Sequence, residues 1–320
     1  MTQISDPAAA LGRPPSRWGD RVFYAACLTG ALTIGVMLVL VAYQLYQGSH
    51  LARAEFGWKF LVSSTWDPVD EQYGALPFIY GTFVTSFIGL LIAVPLSVGT
   101  AIYLTELAPI RVRQPLVSVI EMLAAVPSVI WGLWGIFVLV PFLRVHVYPA
   151  LQKVLGFLPW FQGPIYGIGM LTGGIIVAIM ILPIVTSVSR EVVRSVPNLQ
   201  REAAYGLGAT RWEVTRIAVL SYARRGIFGA AVLGLGRALG ETMAITMVIG
   251  NSSDIAKSLF APGYTMASVI ANEFTEATTD RYLSALFEIG LVLLGLTILI
   301  NIFAAVMIRA ITTEETRRVA

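Results

Sequence analysis

Six long apolar runs separated by polar segments dominate the chain, roughly over residues 22–46, 78–104, 116–143, 166–188, 226–250 and 282–308. Each has at least the length of about 20 residues with which a helix crosses a bilayer. In hydrocarbon every backbone N–H and C=O must find a partner within the protein, so runs of this kind predict helices. The alternating ten-residue strands of a membrane β-barrel are missing. The fold class is therefore all-α, a polytopic membrane protein with six transmembrane helices. The first run is longer than the core of a secretory leader and has no small-x-small cleavage site after it, so residues 21–47 are read as a retained first helix.

The segments between the runs differ in character. Residues 1–20, with Pro7, Gly12, Pro14 and Pro15, read as a loose tail, and residues 311–320 as a second tail. Residues 48–76 mix polar and aromatic side chains, and Trp58 and Trp66 suit the headgroup level. Residues 144–165 space Val145, Val147, Leu151, Val154 and Leu155 as a helix would and end near Trp160, which predicts a helix at the outer interface. Residues 251–281 carry Asp254, Glu273, Glu276 and Asp280 and read as a solvated loop or a face for a soluble partner. Pro95, Pro127 and Pro183 fall inside runs and are expected to kink them.

Composition agrees with the pattern. The chain is 56% hydrophobic and 13% charged, about half the charge of a soluble domain. Its net charge of +3 has a topological origin. With both termini in the cytoplasm, the inside segments hold Arg13, Arg17, Arg21, Arg111 and Arg113. They also hold Arg190, Arg194, Arg201, Arg211, Arg216, Arg224, Arg225, Arg309, Arg317 and Arg318. The outside segments hold only Arg53, Lys59, Arg144, Lys153, Lys257 and Arg281, a bias of more than two to one that fits the positive-inside rule. The basic residues are not interleaved with aromatics on a soluble domain, so nucleic acid is not an expected partner. Cys27 stands alone and His50 and His146 lie far apart, so neither a disulfide within the chain nor a metal site is expected.

The inside loop over residues 189–225 is the most basic segment. Pro197 stops one helix and Asn198 is placed to cap the next, although Arg201 stands where a capping box has an acid. Glu202 lies near the new N-terminus, where the macrodipole favours an anion. Ala203 and Ala204 leave a surface that another protein can approach closely. Gly206 and Gly208 can end the helix in a left-handed turn, after which Ala209 or Thr210 starts another helix carrying Trp212 and Val214. A short helix, a glycine turn and a second helix form a docking element able to transmit force.

The fifth run contains Arg237 and Glu241 deep among apolar residues. Each charge costs about 2.5–3.5 kcal/mol at mid-membrane on insertion scales, so both must face the bundle interior or a wet cavity. Four residues apart on a helix, they share a face. Gly236 and Gly240 have the spacing that lets a neighbouring helix come close. Two readings stand: an intrahelical ion pair that fixes packing, or a transient oxyanion site. Arg237 offers a planar fork of donors to phosphate oxygens. Glu241 would accept a hydrogen bond from a P–OH, which sulfate lacks. Glu121 and Glu288 are further acids in apolar surroundings, each able to bond a neighbouring helix or to occupy a secondary place on a path. No G-x-x-x-x-G-K-[ST] phosphate loop and no nucleophile–base–metal set occurs, so the chain is not expected to be an enzyme and no catalytic residue is assigned.

Glu202–Ala203–Ala204, three residues, then Gly208 resembles the coupling-loop motif of ABC importer permeases. Farther on, Leu220 matches the family pattern while Ala218 and Ser221 depart from it. Gly236–Arg237–Ala238–Leu239–Gly240–Glu241–Thr242–Met243–Ala244, with Ile249–Gly250–Asn251 after it, is similar to the permeases of the phosphate-specific transport (Pst) system. So are Ile120–Glu121–Met122 with the residues through Gly132, Arg201 through Thr210, and Phe287–Glu288–Ile289–Gly290. The details favour the C-type subunit, and the likeness covers roughly residues 75–310. The resemblance implies a type I ABC importer permease fold over a core at 77–310 and a place in a bacterial cytoplasmic membrane. It implies import of inorganic phosphate by alternating access, with Arg237 and Glu241 on the path. Glu202, Ala203, Ala204 and Gly208 would seat on a cytoplasmic ATPase dimer. The other implied partners are a second, A-type permease and an extracytoplasmic phosphate-binding protein. The chain itself would hold no cofactor; ATP and Mg would belong to the ATPase. Sulfate, molybdate or another anion, or a non-transporting scaffold, are the rival readings.

Overall fold

A computed structural model describes the backbone of residues 17–319 and the side chains of residues 18–308. The tail expected over residues 1–20 lies outside the described residues as far as residue 16. The side chains of Arg13, Arg17, Arg309, Arg317 and Arg318 lie outside them as well. The chain divides into two units, Met1–Gln47 and Gly48–Ala320. The first holds nearly all of α1 (Arg17–Gly48), an apolar helix long enough to span a bilayer.

In the second unit two short helices, α2 (His50–Phe56) and α3 (Lys59–Val62), precede the spans. The spans are α4 (Leu76–Leu107), then α6 (Ser128–Leu155) after the separate α5 (Ile110–Ala125), and α7 (Met170–Arg194). The short α8 (Asn198–Gly206) follows, then α9 (Arg211–Leu239) and α10 (Met243–Val248). α11 (Met266–Glu273) and α12 (Asp280–Val319) complete the chain. Counting α1, six helices are long and apolar enough to cross a membrane. Besides helices and turns, the described residues form two isolated β-bridges, Asp67 with Gln72 and Gly250 with Gly263.

The third crossing is shifted from its expected position at 116–143. Pro127 ends a helix instead of kinking one: Val126 and Pro127 are both extended, and α6 starts at Ser128. Proline lacks the N–H the helix needs and disfavours helical geometry in the residue before it. Pro95 and Pro183 remain inside α4 and α7. α6 passes through two stretches of wider π-type winding, Gly135–Leu139 and Leu143–Val147, and runs on to Leu155. The separate interfacial helix expected after residue 144 is thus the outer end of the third crossing. Tyr148 fastens that end, fully buried and hydrogen-bonded to Thr172 on α7.

The fifth crossing is broken. α9 stops at Leu239, Gly240 caps it, and α10 restarts at Met243. Glycine is a poor helix residue, and the Thr242 and Ala244 N–H groups turn toward the Glu241 carboxylate, which favours a new helix start. α12 continues through the residues expected as a tail, to Val319.

The outer core gathers Phe60, Tyr73, Phe78, Tyr264, Tyr282 and Ile289. Trp66 packs edge-on against Phe78 and Tyr73, with ring centroids 4.8 and 4.9 Å away. It is therefore a core residue, whereas Trp58 is 86% exposed. Glu273, expected in a solvated loop, accepts hydrogen bonds from Trp66 Nε1 at 2.8 Å and from the Tyr282 hydroxyl at 2.7 Å. The chain after α10 folds back: Gly263 N–H donates to Ile249 O at 3.1 Å, and Phe260 is buried against Tyr148. Gly81 of α4 makes this return possible, because a Cβ there would lie 2.0 Å from the Tyr264 carbonyl oxygen. At the opposite end Val193, Val196, Val219 and Ala223 form a small core between α7 and α9.

Candidate functional site

The segment between α7 and α9 is built as a rigid corner. Pro197, in an extended conformation, precedes the first turn of α8. Asn198 is the first helical residue and not the cap; its amide oxygen faces Arg201 Nη1 at 3.4 Å. Arg201 holds the helix in place. Its Nη2 donates to Glu106 Oε1 at 2.9 Å and to the Val193 carbonyl at 3.0 Å, and its Nη1 to the Val196 carbonyl. The pattern in which Arg201 replaces a capping acid is thus an anchor, made through a partner 95 residues away.

α8 ends in a Schellman turn. Ala209 N–H donates to Ala204 O at 3.2 Å and Gly208 N–H to Tyr205 O at 2.9 Å, with Gly208 at φ +82°. That is the paired closure left-handed glycine permits. Gly206 stays helical. The next helix opens with a full capping box: Thr210 N–H donates to Glu213 Oε2 at 2.7 Å, and Glu213 N–H to Thr210 Oγ1 at 3.4 Å. Between these two fixed ends, no residue of α8 is buried. Leu199, Leu207 and Trp212 are 76%, 90% and 63% exposed. Glu202, Ala203 and Gly208 are exposed too, and Ala204 is half-buried. Apolar side chains presented beside small residues on a fixed corner suit docking against another protein.

The second place is an open groove of about 550 Å³ beside the break in the fifth crossing. Arg237, Gly240, Glu241 and Asn301 line it. Arg237 sits exposed in the last turn of α9, while Glu241 is 8% exposed and lies beyond that helix. They do not share a helical face, and among the described residues no ion pair joins them. Arg237 thus presents its guanidinium to the groove, and the Glu241 carboxylate is turned to the start of α10. Gly236 and Gly240 are not approached by a neighbouring helix of this chain: a Cβ at Gly236 meets nothing within 4 Å. Asn301, on α12, went unnoticed in the sequence; a lone amide inside the sixth apolar run was the available signal.

Glu121 and Glu288 are not brought to this groove. Glu121 is exposed on α5, a helix without buried residues, and its Oε1 is 3.5 Å from Arg190 Nη2. The expectation of a buried acid there fails because Pro127 places α5 outside the third crossing. Glu288 is buried at 6% exposure, and its Oε2 has no hydrogen-bond partner among the described residues.

Residues 93–313 match the family described as "Binding-protein-dependent transport system inner membrane component". A phosphate transport system permease protein PstC of Mesorhizobium japonicum is 50% identical over 296 residues, covering 91% of this chain and 90% of its own. The protein of the same name from Haemophilus influenzae is 47% identical over 295 residues, with 91% and 93% covered. A probable phosphate transport system permease protein PstC of Methanocaldococcus jannaschii is 36% identical over 286 residues, with 88% and 90% covered. Among solved structures, a chain of a bacterial ABC transporter involved in the import of the acidic polysaccharide alginate superposes with a TM-score of 0.61 at 16% identity, over 92% of this chain and 98% of its own. A chain of the MetNI methionine ABC transporter, in an inward facing conformation, gives 0.51 at 16% identity, over 74% and 94%. At these identities the two structures speak for the fold alone, that of an ABC importer permease.

Proposed function

This chain belongs to the family of binding-protein-dependent transport system inner membrane components, and on that footing we propose that it is a permease subunit of an ATP-driven importer of inorganic phosphate. The observation that carries the reading is the likeness to phosphate transport system permeases along nine-tenths of the chain, at 50% and 47% identity.

A mechanism consistent with the geometry follows from this reading. The corner formed by α8 and its Gly208 turn faces the cytoplasm and seats on one subunit of an ATPase dimer, with Glu202, Ala203 and Ala204 at the contact. The ATPase, not this chain, uses ATP and Mg. An A-type permease completes the path, and an extracytoplasmic phosphate-binding protein delivers the ion to the opposite face. Closure of the ATPase pair moves α8 and, through the Thr210–Glu213 cap, α9 with it. The path then opens to each side in turn. Arg237 gives the anion a weak stop on the way, since a deep well would trap it. Glu241 accepts the hydrogen bond of a phosphate that keeps its proton.

The test is reconstitution of the complete transporter, measuring phosphate-stimulated ATP turnover for the parent and for Arg237→Gln. Loss of stimulation with the assembly intact supports the reading, and full stimulation in the variant refutes it. Uptake competition with sulfate and molybdate separates phosphate from other oxyanions, and failure to recover an ATPase with the chain would favour a scaffold.

A further inference from the structure

A cavity of about 670 Å³ lies beside α8, apart from the groove at Arg237. Four arginines line it, Arg113, Arg190, Arg194 and Arg201, against a single carboxylate, Glu106. They come from three separate elements: Arg113 from α5, Arg190 and Arg194 from the end of α7, and Arg201 from α8.

The chain's own acids do not use up this positive charge. Glu106 is committed to Arg201. Arg190 shares one Nη2 between Glu191, at 3.0 Å, and Glu121, at 3.5 Å, while its Nε is buried without a partner among the described residues. Arg113 Nη2 donates to the Thr105 carbonyl at 2.6 Å, which fixes the guanidinium, and its Nε is likewise buried without a partner. Arg194 makes no side-chain hydrogen bond or ion pair among the described residues. Buried donors left unmade are costly, and planar guanidinium forks match phosphate oxygens in shape and charge. The volume is within the range of small-molecule sites.

We propose that this cavity binds a phosphate-group oxyanion from the cytoplasmic side, held by Arg113 and Arg194 with Arg190, and that the bound anion ties α5 to the end of α7, on whose Val193 and Val196 carbonyls α8 is anchored through Arg201. The ligand is either free inorganic phosphate or the headgroup of an acidic phospholipid. The inference rests on the orientation proposed above but not on which solute is transported. Occupancy restrains α8, so the site links the cytoplasmic anion supply, or the lipid around the protein, to the docking corner.

The complete transporter in nanodiscs tests this by hydrogen exchange of the α8 amides, residues 198–206. One arm uses neutral phosphatidylcholine and titrates inorganic phosphate in the absence of binding protein. The other adds phosphatidylglycerol without phosphate. Slower exchange in α8 is expected in one arm, and which arm responds identifies the source. Arg113→Gln with Arg194→Gln should weaken the response by about tenfold or more, the loss of charge-assisted hydrogen bonds. Arg194→Gln alone, at an exposed position, serves if the double variant does not assemble, and Arg194→Lys should recover part of the effect. Arg237→Gln should leave this protection unchanged, which keeps the result separate from the transport groove. Protection in neither arm, or equal protection in parent and variants, overturns the proposal.

Discussion

Arg201 and Glu106 meet at 2.9 Å, each about five-sixths buried, and so join α8 to the foot of the second crossing. Arg201 also spans two carbonyls at the end of α7, so one side chain fixes three elements. A hydrogen bond to a charged group contributes about 1.5–3 kcal/mol, enough to decide whether α8 moves with the bundle or apart from it. Glu106→Gln keeps the shape and removes the charge. In the reconstituted transporter it should lower phosphate moved per ATP hydrolysed several-fold while leaving ATP turnover measurable. An unchanged ratio would mean that the tether does not transmit motion.

Gly206 and Gly208 differ by conformation, not by room. A Cβ at either meets nothing within 4 Å, but only Gly208 has a positive φ. Gly208→Ala should cost about 1–2 kcal/mol in the corner and weaken ATPase attachment. Gly206→Ala, at a helical position, should be neutral or slightly stabilising. Pulldown of the ATPase by both variants reads the contrast, and equal retention would show that the left-handed turn is dispensable.

In the proposed mechanism, Glu241→Gln removes the charge that would repel a fully ionised anion while keeping an acceptor for a P–OH. Phosphate uptake should fall modestly, and sulfate should begin to compete. If sulfate remains as well excluded as in the parent, selectivity resides elsewhere.

Gly81 admits the returning outer segment. With a Cβ 2.0 Å from the Tyr264 carbonyl oxygen, Gly81→Ala must push a backbone that cannot yield cheaply, at a cost of about 1–3 kcal/mol or more. Gly99→Ala on the same helix, facing open space, is the control. Thermal unfolding of the two variants should separate them clearly; similar midpoints would mean that the outer segment shifts freely.

The six crossings were legible because hydropathy alone dictates them, and the corner at α8 because the glycine turn that closes it is local. What escaped the sequence depended on breaks and distant partners. Pro127 and Gly240 interrupt apolar runs whose composition does not change across them, so the third and fifth crossings were misplaced. Glu121 lies in an apolar run, yet the break at Pro127 leaves it exposed on the separate α5. Arg201 looked like a flawed capping residue, since nothing near it in the chain points to Glu106. Trp66 and Glu273, 207 residues apart, are a half-buried hydrogen-bonded pair at the edge of the outer core that no spacing rule connects.

α9 runs on through one turn of wider π-type winding, Val214–Val219, and its continuity has a consequence for amplitude. From Arg211 to Leu239 it is 29 residues, so at about 1.5 Å per residue the rod is about 40 Å long. Its lower tip is clamped to the corner, and Arg237 lies within one turn of its upper tip. Tilting such a rod about its foot by about 5° sweeps the position of Arg237 through about 3.5 Å, slightly more than a hydrogen bond's length. Under the proposed mechanism, leverage of this kind would let a slight shift at the corner bring the Arg237 guanidinium within reach of an anion or take it away, and the gap at Gly240–Thr242 would spare α10 from being dragged along.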